Sequence, residues 1–404
     1  MMTDRLSTLD LALWQARPHA VADAARAALI TAFDARGVTV SLVDYQVSHL
    51  VPAAPEAEPF PIENTLPGRA FASQQTVHDE RPGGHDLHLP LSIYGDRLGV
   101  LTVTFEEPPG PDEVGELTAA ATVLARALAV ADTRTDVFRR MRRSSRLTLA
   151  AEIQWELLPG RACVADEFEL AGQLEPAYTV WGDNFDWSAS SDHLVVSVTN
   201  GMGQGIEAAL LTHLTIGALR NARRSGADLP EQAALANEAI CAQHGGNKHV
   251  GTLLLRFDLE SGQVRAIDAG SPRIYRLRGG AVAPITLDQQ LPLGMFNDTE
   301  YVEQEFSLLR GDRLVIVSDG MHDSLSSSGE PYGTFSLPRA LARTRMQNPP
   351  EVVRTLVREL LSHTPEARLS DDAVIVCLDW TGRVAEPGTA APSAFDGEPE
   401  PEPV

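Results

Sequence analysis

The stretch Val180–Leu211, VWGDNFDWSASSDHLVVSVTNGMGQGIEAALL, constrains this chain more than any other. Its apolar, β-branched run Leu194–Val198 predicts a strand. Asn200-Gly201-Met202-Gly203-Gln204-Gly205 follows as a glycine-dense turn, and residues 206–224 then carry a helical pattern. A strand passing through such a turn into a helix brings backbone close to an anion or a metal. Two carboxylates, Asp183 and Asp186, precede the strand. Two acidic turns, Ser318-Asp319-Gly320 and Ser370-Asp371-Asp372, come much later.

Upstream, residues 8–35 read as helical, 38–45 as a strand, and 111–133 as a helix opened by a proline and acids. Between them, residues 87–94 and 98–105 form a hairpin pattern around Gly95-Asp96-Arg97. The segment QQTVHDERPGGHD reads as a polar loop, with His78, His85 and His88 as scattered surface or loop histidines. The order predicts an α+β unit with an antiparallel sheet. GRAFASQQTV and LPLSIYGDRLGVLTVTF resemble the central helix and last two strands of a GAF domain, over roughly residues 8–133. That resemblance implies a sensor holding an unknown small ligand or partner; no cysteine suits a bilin, and no His/Cys cluster suits a metal.

Residues 134–158 contain no helix breaker and predict one continuous coupling helix, with Leu149, Ile153 and Leu157 on one face. Such a helix is suited to transmit a twist or to form a homodimer. Its five arginines between Arg139 and Arg146 read first as a solvated face, and second as a contact for acidic lipid or nucleic acid. Residues 159–380 alternate many strands with two helical pairs, at 206–244 and 337–363, which suggests a four-layer α/β/β/α domain. Residues 381–404 are acidic and proline-rich and predict a disordered tail.

A net charge of −22 argues against nucleic acid as the main partner. No run of about 18 apolar residues predicts a transmembrane helix, and the acidic N-terminus does not read as a signal peptide. The three cysteines, Cys163, Cys241 and Cys377, lie far apart and predict free buried thiols in a cytoplasmic protein.

Asp183, the 200–205 turn, Asp319 and Asp371 each sit beside a glycine or at the end of a strand-like run. Singly, each aspartate reads as a turn or cap residue. In this order they can converge as hard, oxygen-only ligands, which suit Mg²⁺ or Mn²⁺ rather than zinc. Two such ions could activate a water for in-line attack on a phosphate.

The blocks LAAEIQWELLPG (149–160), WGDNFD (181–186), NGMGQGIEAALL (200–211), DAGSPRIYRLRGG (268–280), LPLGMF (291–296), LLRGDRLVIVSDGMHDSLSSSGEPYG (308–333) and SDDAVIVCLDW (370–380) stand in one order. In that order they resemble the PPM-type metal-dependent serine/threonine phosphatases, in the bacterial sporulation stage II E and stress-response branch. The resemblance implies phosphoserine/phosphothreonine hydrolysis on a protein, an anti-sigma-factor antagonist in this branch, with two Mn²⁺ or Mg²⁺ ions. It places metal carboxylates on Asp183, Asp319 and Asp371, a backbone carbonyl ligand on Gly201, and flanking acids on Asp186 and Asp372.

Four positions depart from the pattern. Asn200 stands where the family's aspartate bridges the metals, Trp181 replaces a glycine, Ser271 a histidine and Val374 a threonine. An amide offers one neutral carbonyl oxygen in place of an anion with two. Two expectations follow: a phosphatase with weakened metal affinity at Asn200, or a pseudophosphatase that binds and scaffolds without turnover.

Overall fold

Proline and the spacing of apolar residues set the first elements. Helix α1 (Met2–Gln15) stops before Pro18 and α2 (Val21–Phe33) begins after it, so the stretch read as one helix is two. The structure is a computed structural model that describes residues 2–54, 57–143, 148–176, 180–270, 272–365 and 369–383. Ser271, and the expected tail from residue 384 on, lie outside the described residues.

Strands β1 (Gly37–Val43), β2 (His49–Pro52) and β3 (Phe60–Pro61) lead to the short helix α3 (Leu66–Ser73). Then come β4 (Val77–Arg81), β5 (Gly84–Ile93), β6 (Asp96–Phe105) and helix α4 (Pro111–Asp132). They form one antiparallel sheet in the order β3-β2-β1-β6-β5-β4. The supposed polar loop at 74–86 is largely strand: β4 pairs with β5, and His85 and His88 are buried. Polar side chains hid the alternation there, because one face of this hairpin holds a polar cluster instead of apolar core. Helices α1, α2 and α4 cover the other sheet face through Leu9, Leu29, Leu117, Leu124, Leu89 and Leu101. Each such buried leucine contributes about 1.5–3 kcal/mol. Helix α4 has the length and hydropathy of a membrane span. Its apolar side is nonetheless packed on this core, as a soluble core helix would be.

The expected continuous helix over 134–158 is absent. Helix α5 (Val137–Met141) and α6 (Leu149–Leu157) are separate, and residues 144–147 between them lie outside the described residues. The arginine run supplies a physical reason. Like charges at helical spacing repel, and here they bond elsewhere: Arg139 to Glu156 at 3.0 Å, Arg143 to Glu152, and Arg142 Nε to the Val43 carbonyl at 2.8 Å. The buried face of α6 is Ala150, Ala151, Gln154 and Leu157, whereas Leu149 is exposed. Among the described residues, 134–158 therefore offer two short helices in place of the one long helical surface expected for a homodimer.

The remaining chain builds two sheets face to face. One contains β9 (Asp183–Ala189), β10 (His193–Gly201), β11 (Val250–Asp258), β12 (Gln263–Ala269) and β15 (Gln304–Ser307). The other contains β7 (Ala162–Val164), β8 (Phe168–Glu175), β13 (Arg273–Arg278), β14 (Ala281–Ile285), β16 (Arg313–Val317) and β17 (Ala373–Trp380). Phe185, Val198, Leu255, Leu314 and Val376 fill the space between them. Helices α7 (Ile206–Arg224) and α8 (Leu229–His244) cover the first sheet; α10 (Tyr332–Arg343) and α11 (Pro349–His363) cover the second. A single turn, α9 (Asp319–His322), follows β16. This is the expected four-layer α/β/β/α arrangement.

The two halves touch. Buried Arg97 of β6 donates to Glu351 at 2.8 Å and to Asn348, the cap of α11, at 2.9 Å. Tyr45 stacks on Trp155 of α6 with centroids 4.8 Å apart.

Candidate metal centre

Strand register places the first two motifs side by side: β9 and β10 are antiparallel, with Asn200 opposite Asp183. From the other sheet, Asp319 follows the end of β16, and Asp371 precedes the start of β17. Glycines let these strand ends approach. A Cβ on Gly320 would lie 2.0 Å from the Asp372 carbonyl oxygen, and one on Gly201 2.6 Å from Thr212 Oγ1. Of the predicted site residues, the structure thus brings Asp183, Asn200, Gly201, Asp319 and Asp371 to one end of the sandwich.

Their electrostatics are those of a site short of positive charge. Asp183 is fully buried, and neither carboxylate oxygen has a donor at hydrogen-bonding distance. Burial, then Asp319, Asp372 and Asp371, hold its carboxyl well above the usual range, and the nearby Ser318 hydroxyl offsets only part of this. Asp371 is pushed up to about 7 by burial, then by Asp319, with Asp372 adding to it. Exposed Asp319 accepts at Oδ1 from Asn200 Nδ2 at 2.6 Å and from its neighbour Gly320 N at 2.8 Å.

The flanking acids have other work. Asp372 Oδ2 accepts from Trp181 N at 2.8 Å and Gly182 N at 3.0 Å, which fixes the loop leading into Asp183. Trp181 takes part through its backbone, so this loop contact does not require glycine there. Asp186 is buried beneath Arg220 and Arg223, at 2.8 and 3.1 Å, and ties β9 to α7. Val374 belongs to the inter-sheet core, fully buried among apolar side chains.

Sequence reasoning missed Gln154. Its Nε2 donates to the Asp183 backbone carbonyl and to Asp372 Oδ2, both at 3.0 Å, and its backbone carbonyl accepts from Asn184 Nδ2 at 3.1 Å. A lone glutamine among the apolar residues of LAAEIQWELL was the available signal. A groove of about 660 Å³ adjoins the carboxylates, lined by Asn200, Asp319, Arg273, Tyr275 and Asp323. Arg273, also missed, donates to His322 Nε2 at 2.8 Å at its rim.

Residues 190–381 match the family model described as stage II sporulation protein E (SpoIIE). The C-terminal part of the chain is a SpoIIE-type domain. Among curated proteins, protein IcfG of a Synechocystis species is 21% identical over 257 residues, covering 56% of this chain and 40% of its own. The phosphoserine phosphatase RsbU of Bacillus subtilis is 20% identical over 235 residues, covering 58% of this chain and 70% of its own. The chain thus spans well under half of the IcfG relative. Among solved structures, the SiaA-PP2C domain of Pseudomonas aeruginosa covers 57% of this chain and 93% of its own, at 21% identity and a TM-score of 0.50. The SpoIIE-type domain therefore carries the PP2C fold.

Proposed function

We propose that the SpoIIE-type domain is a Mn²⁺- or Mg²⁺-dependent protein phosphatase acting on phosphoserine or phosphothreonine of a regulatory protein, an anti-sigma-factor antagonist. One observation carries this reading: the buried, donor-less carboxylate of Asp183 beside Asp319 and Asp371. Buried carboxylates in such a cluster stay charged only beside cations, and an oxygen-only set suits Mg²⁺ or Mn²⁺. Asp183, Asp319 and Asp371, with the Gly201 carbonyl and the Asn200 amide oxygen, would hold the ions. When bound, such ions supply positive charge to a phosphate and lower the pKa of a water. Asp372 and Gln154 keep the Asp183 loop in place, and the adjoining groove, with Arg273 on its rim, offers room and a charge for a phosphorylated segment. The name of the RsbU relative supports the same chemistry.

Residues 8–133 are proposed as a GAF-like sensor domain, 134–158 as its coupling segment and 159–380 as the phosphatase domain. The path runs from Tyr45 through Trp155 to its neighbour Gln154, which touches the carboxylate cluster. Free Cys163, Cys241 and Cys377 support a cytoplasmic setting.

The Asn200 contact favours a second reading, a binding module without turnover, because the amide already serves Asp319. Hydrolysis of a phosphoserine peptide in Mn²⁺, by the native chain and by Asn200→Asp, separates the two. Native turnover that is abolished by chelation supports the phosphatase. A silent native chain beside an active Asn200→Asp variant establishes the scaffold.

A further inference from the structure

The β4–β5 hairpin carries a second group of metal-type side chains, far from the first. Register puts Asp79 opposite Asp86, and Val77 opposite His88, so Asp79, Asp86 and His88 share one sheet face. A carboxylate oxygen from each aspartate and a ring nitrogen of His88 all lie within 4.8 Å of one another. Like charges directly opposite across strands are unfavourable. Here Arg81 holds them together, donating to Asp79 Oδ2 at 2.9 Å and to Asp86.

His88 is what a salt bridge alone does not explain. Its side chain is 1% exposed. Nδ1 lies 2.9 Å from Thr102 Oγ1 on β6, while Nε2 is buried with no partner. A buried imidazole nitrogen without a partner is costly. An imidazole held through one nitrogen by a neighbouring oxygen, with the other left bare, is how histidine is commonly prepared for a metal.

We propose that Asp79, Asp86 and His88 form a site for a divalent transition-metal ion, represented by Zn²⁺, on the N-terminal sheet. Thr102 accepts from Nδ1–H and aims the Nε2 lone pair at the ion. Arg81, whose side chain is 55% exposed, occupies the carboxylates without metal and swings into solvent when the ion binds. Asp79 is partly exposed and gives the ion access, while His88 closes the inner side. One nitrogen and two carboxylates select Zn²⁺ over Mg²⁺, opposite to the oxygen-only cluster of the SpoIIE-type domain. The ion would fasten edge strand β4 to β5. His78 and His85 lie on the other face of the hairpin, 3.1 Å from each other, and take no part.

Zn²⁺ affinity of the full chain, measured by competition with a chromophoric chelator in millimolar Mg²⁺, tests this. The expected result is one Mg²⁺-resistant Zn²⁺ per chain, weakened at least ~10-fold by His88→Gln and by Asp86→Asn. Arg81→Ala should tighten it several-fold by removing the competitor, and His78→Gln should leave it unchanged. The Arg81 result holds even if the His88 variant folds poorly. Zn²⁺ affinity indifferent to His88→Gln, equally lost in His78→Gln, or weakened by Arg81→Ala would overturn the proposal.

Discussion

Asn200 Nδ2 donates to Asp319 Oδ1 across 2.6 Å and so links the glycine turn of one sheet to the acidic turn of the other. The amide, with Gly320 N, supplies a partial positive charge to an Asp319 that also faces the carboxyls of Asp183 and Asp371.

Replacing it tests both aspects of that contact. Asn200→Asp sets a carboxylate against Asp319. Without metal the variant should be less stable by about 1–3 kcal/mol, the scale for losing a hydrogen bond to a charged group. With Mn²⁺ the order should reverse, with affinity rising at least ~10-fold. Thermal melting in chelator and in Mn²⁺, beside calorimetric titration, reads both.

Gln154 is a positioning residue. Gln154→Ala removes a donor that joins Trp181 N and Gly182 N on Asp372 Oδ2, and the tie to the Asp183 carbonyl. A loss of about 1–3 kcal/mol in chemical denaturation is expected, since a buried charge loses a partner. Metal affinity should fall as well, because the loop into Asp183 loosens. Unchanged affinity with lowered stability would leave Gln154 purely structural.

The pH dependence of the metal-free protein has a definite sign. Asp371 and Glu175 are each raised to about 7, both chiefly by burial, and burial also holds Asp183 well above the usual carboxylate range. Between about pH 4 and 7 the folded chain therefore holds more protons at these carboxyls than the unfolded chain does. Their contribution to stability falls as pH rises through that window. Buried His88, whose pKa is lowered, opposes this but is a single group. The melting temperature in chelator should decline from pH 5 to 8, and Asp371→Asn should flatten the decline. Saturating Mn²⁺ should shrink it to the part owed to Glu175, because ions stabilise the charged forms of Asp183 and Asp371 only.

Much of this was legible in the sequence, for physical reasons that differ by element. The strands around Asp183 and Asp319 are apolar on both faces or alternate cleanly, so their ends, and the acids there, could be located. Strand β4 could not, because His78 and Glu80 occupy the face that Leu87 and Leu89 of β5 turn to the helices, where alternation needs apolar residues. The break between α5 and α6 was hidden because neither glycine nor proline marks it; ion pairs to Glu152 and Glu156 compete with helix continuation. Gln154 was missed because its role depends on Asp372, 218 residues away. The roles of Asp186 and Asp372 likewise appeared only once their donors, Arg220, Arg223 and the 181–182 backbone, were in place.

Counting Mn²⁺ bound to the full chain, by titration followed through the electron paramagnetic resonance of the free ion, tests the central claim most directly. In millimolar Zn²⁺-free buffer at pH 8, the native chain should bind Mn²⁺, with Asp319→Asn and Asp183→Asn each weakening it at least ~10-fold. Mn²⁺ binding that is absent, or that both variants leave unchanged, would contradict a carboxylate metal centre at the head of the sandwich.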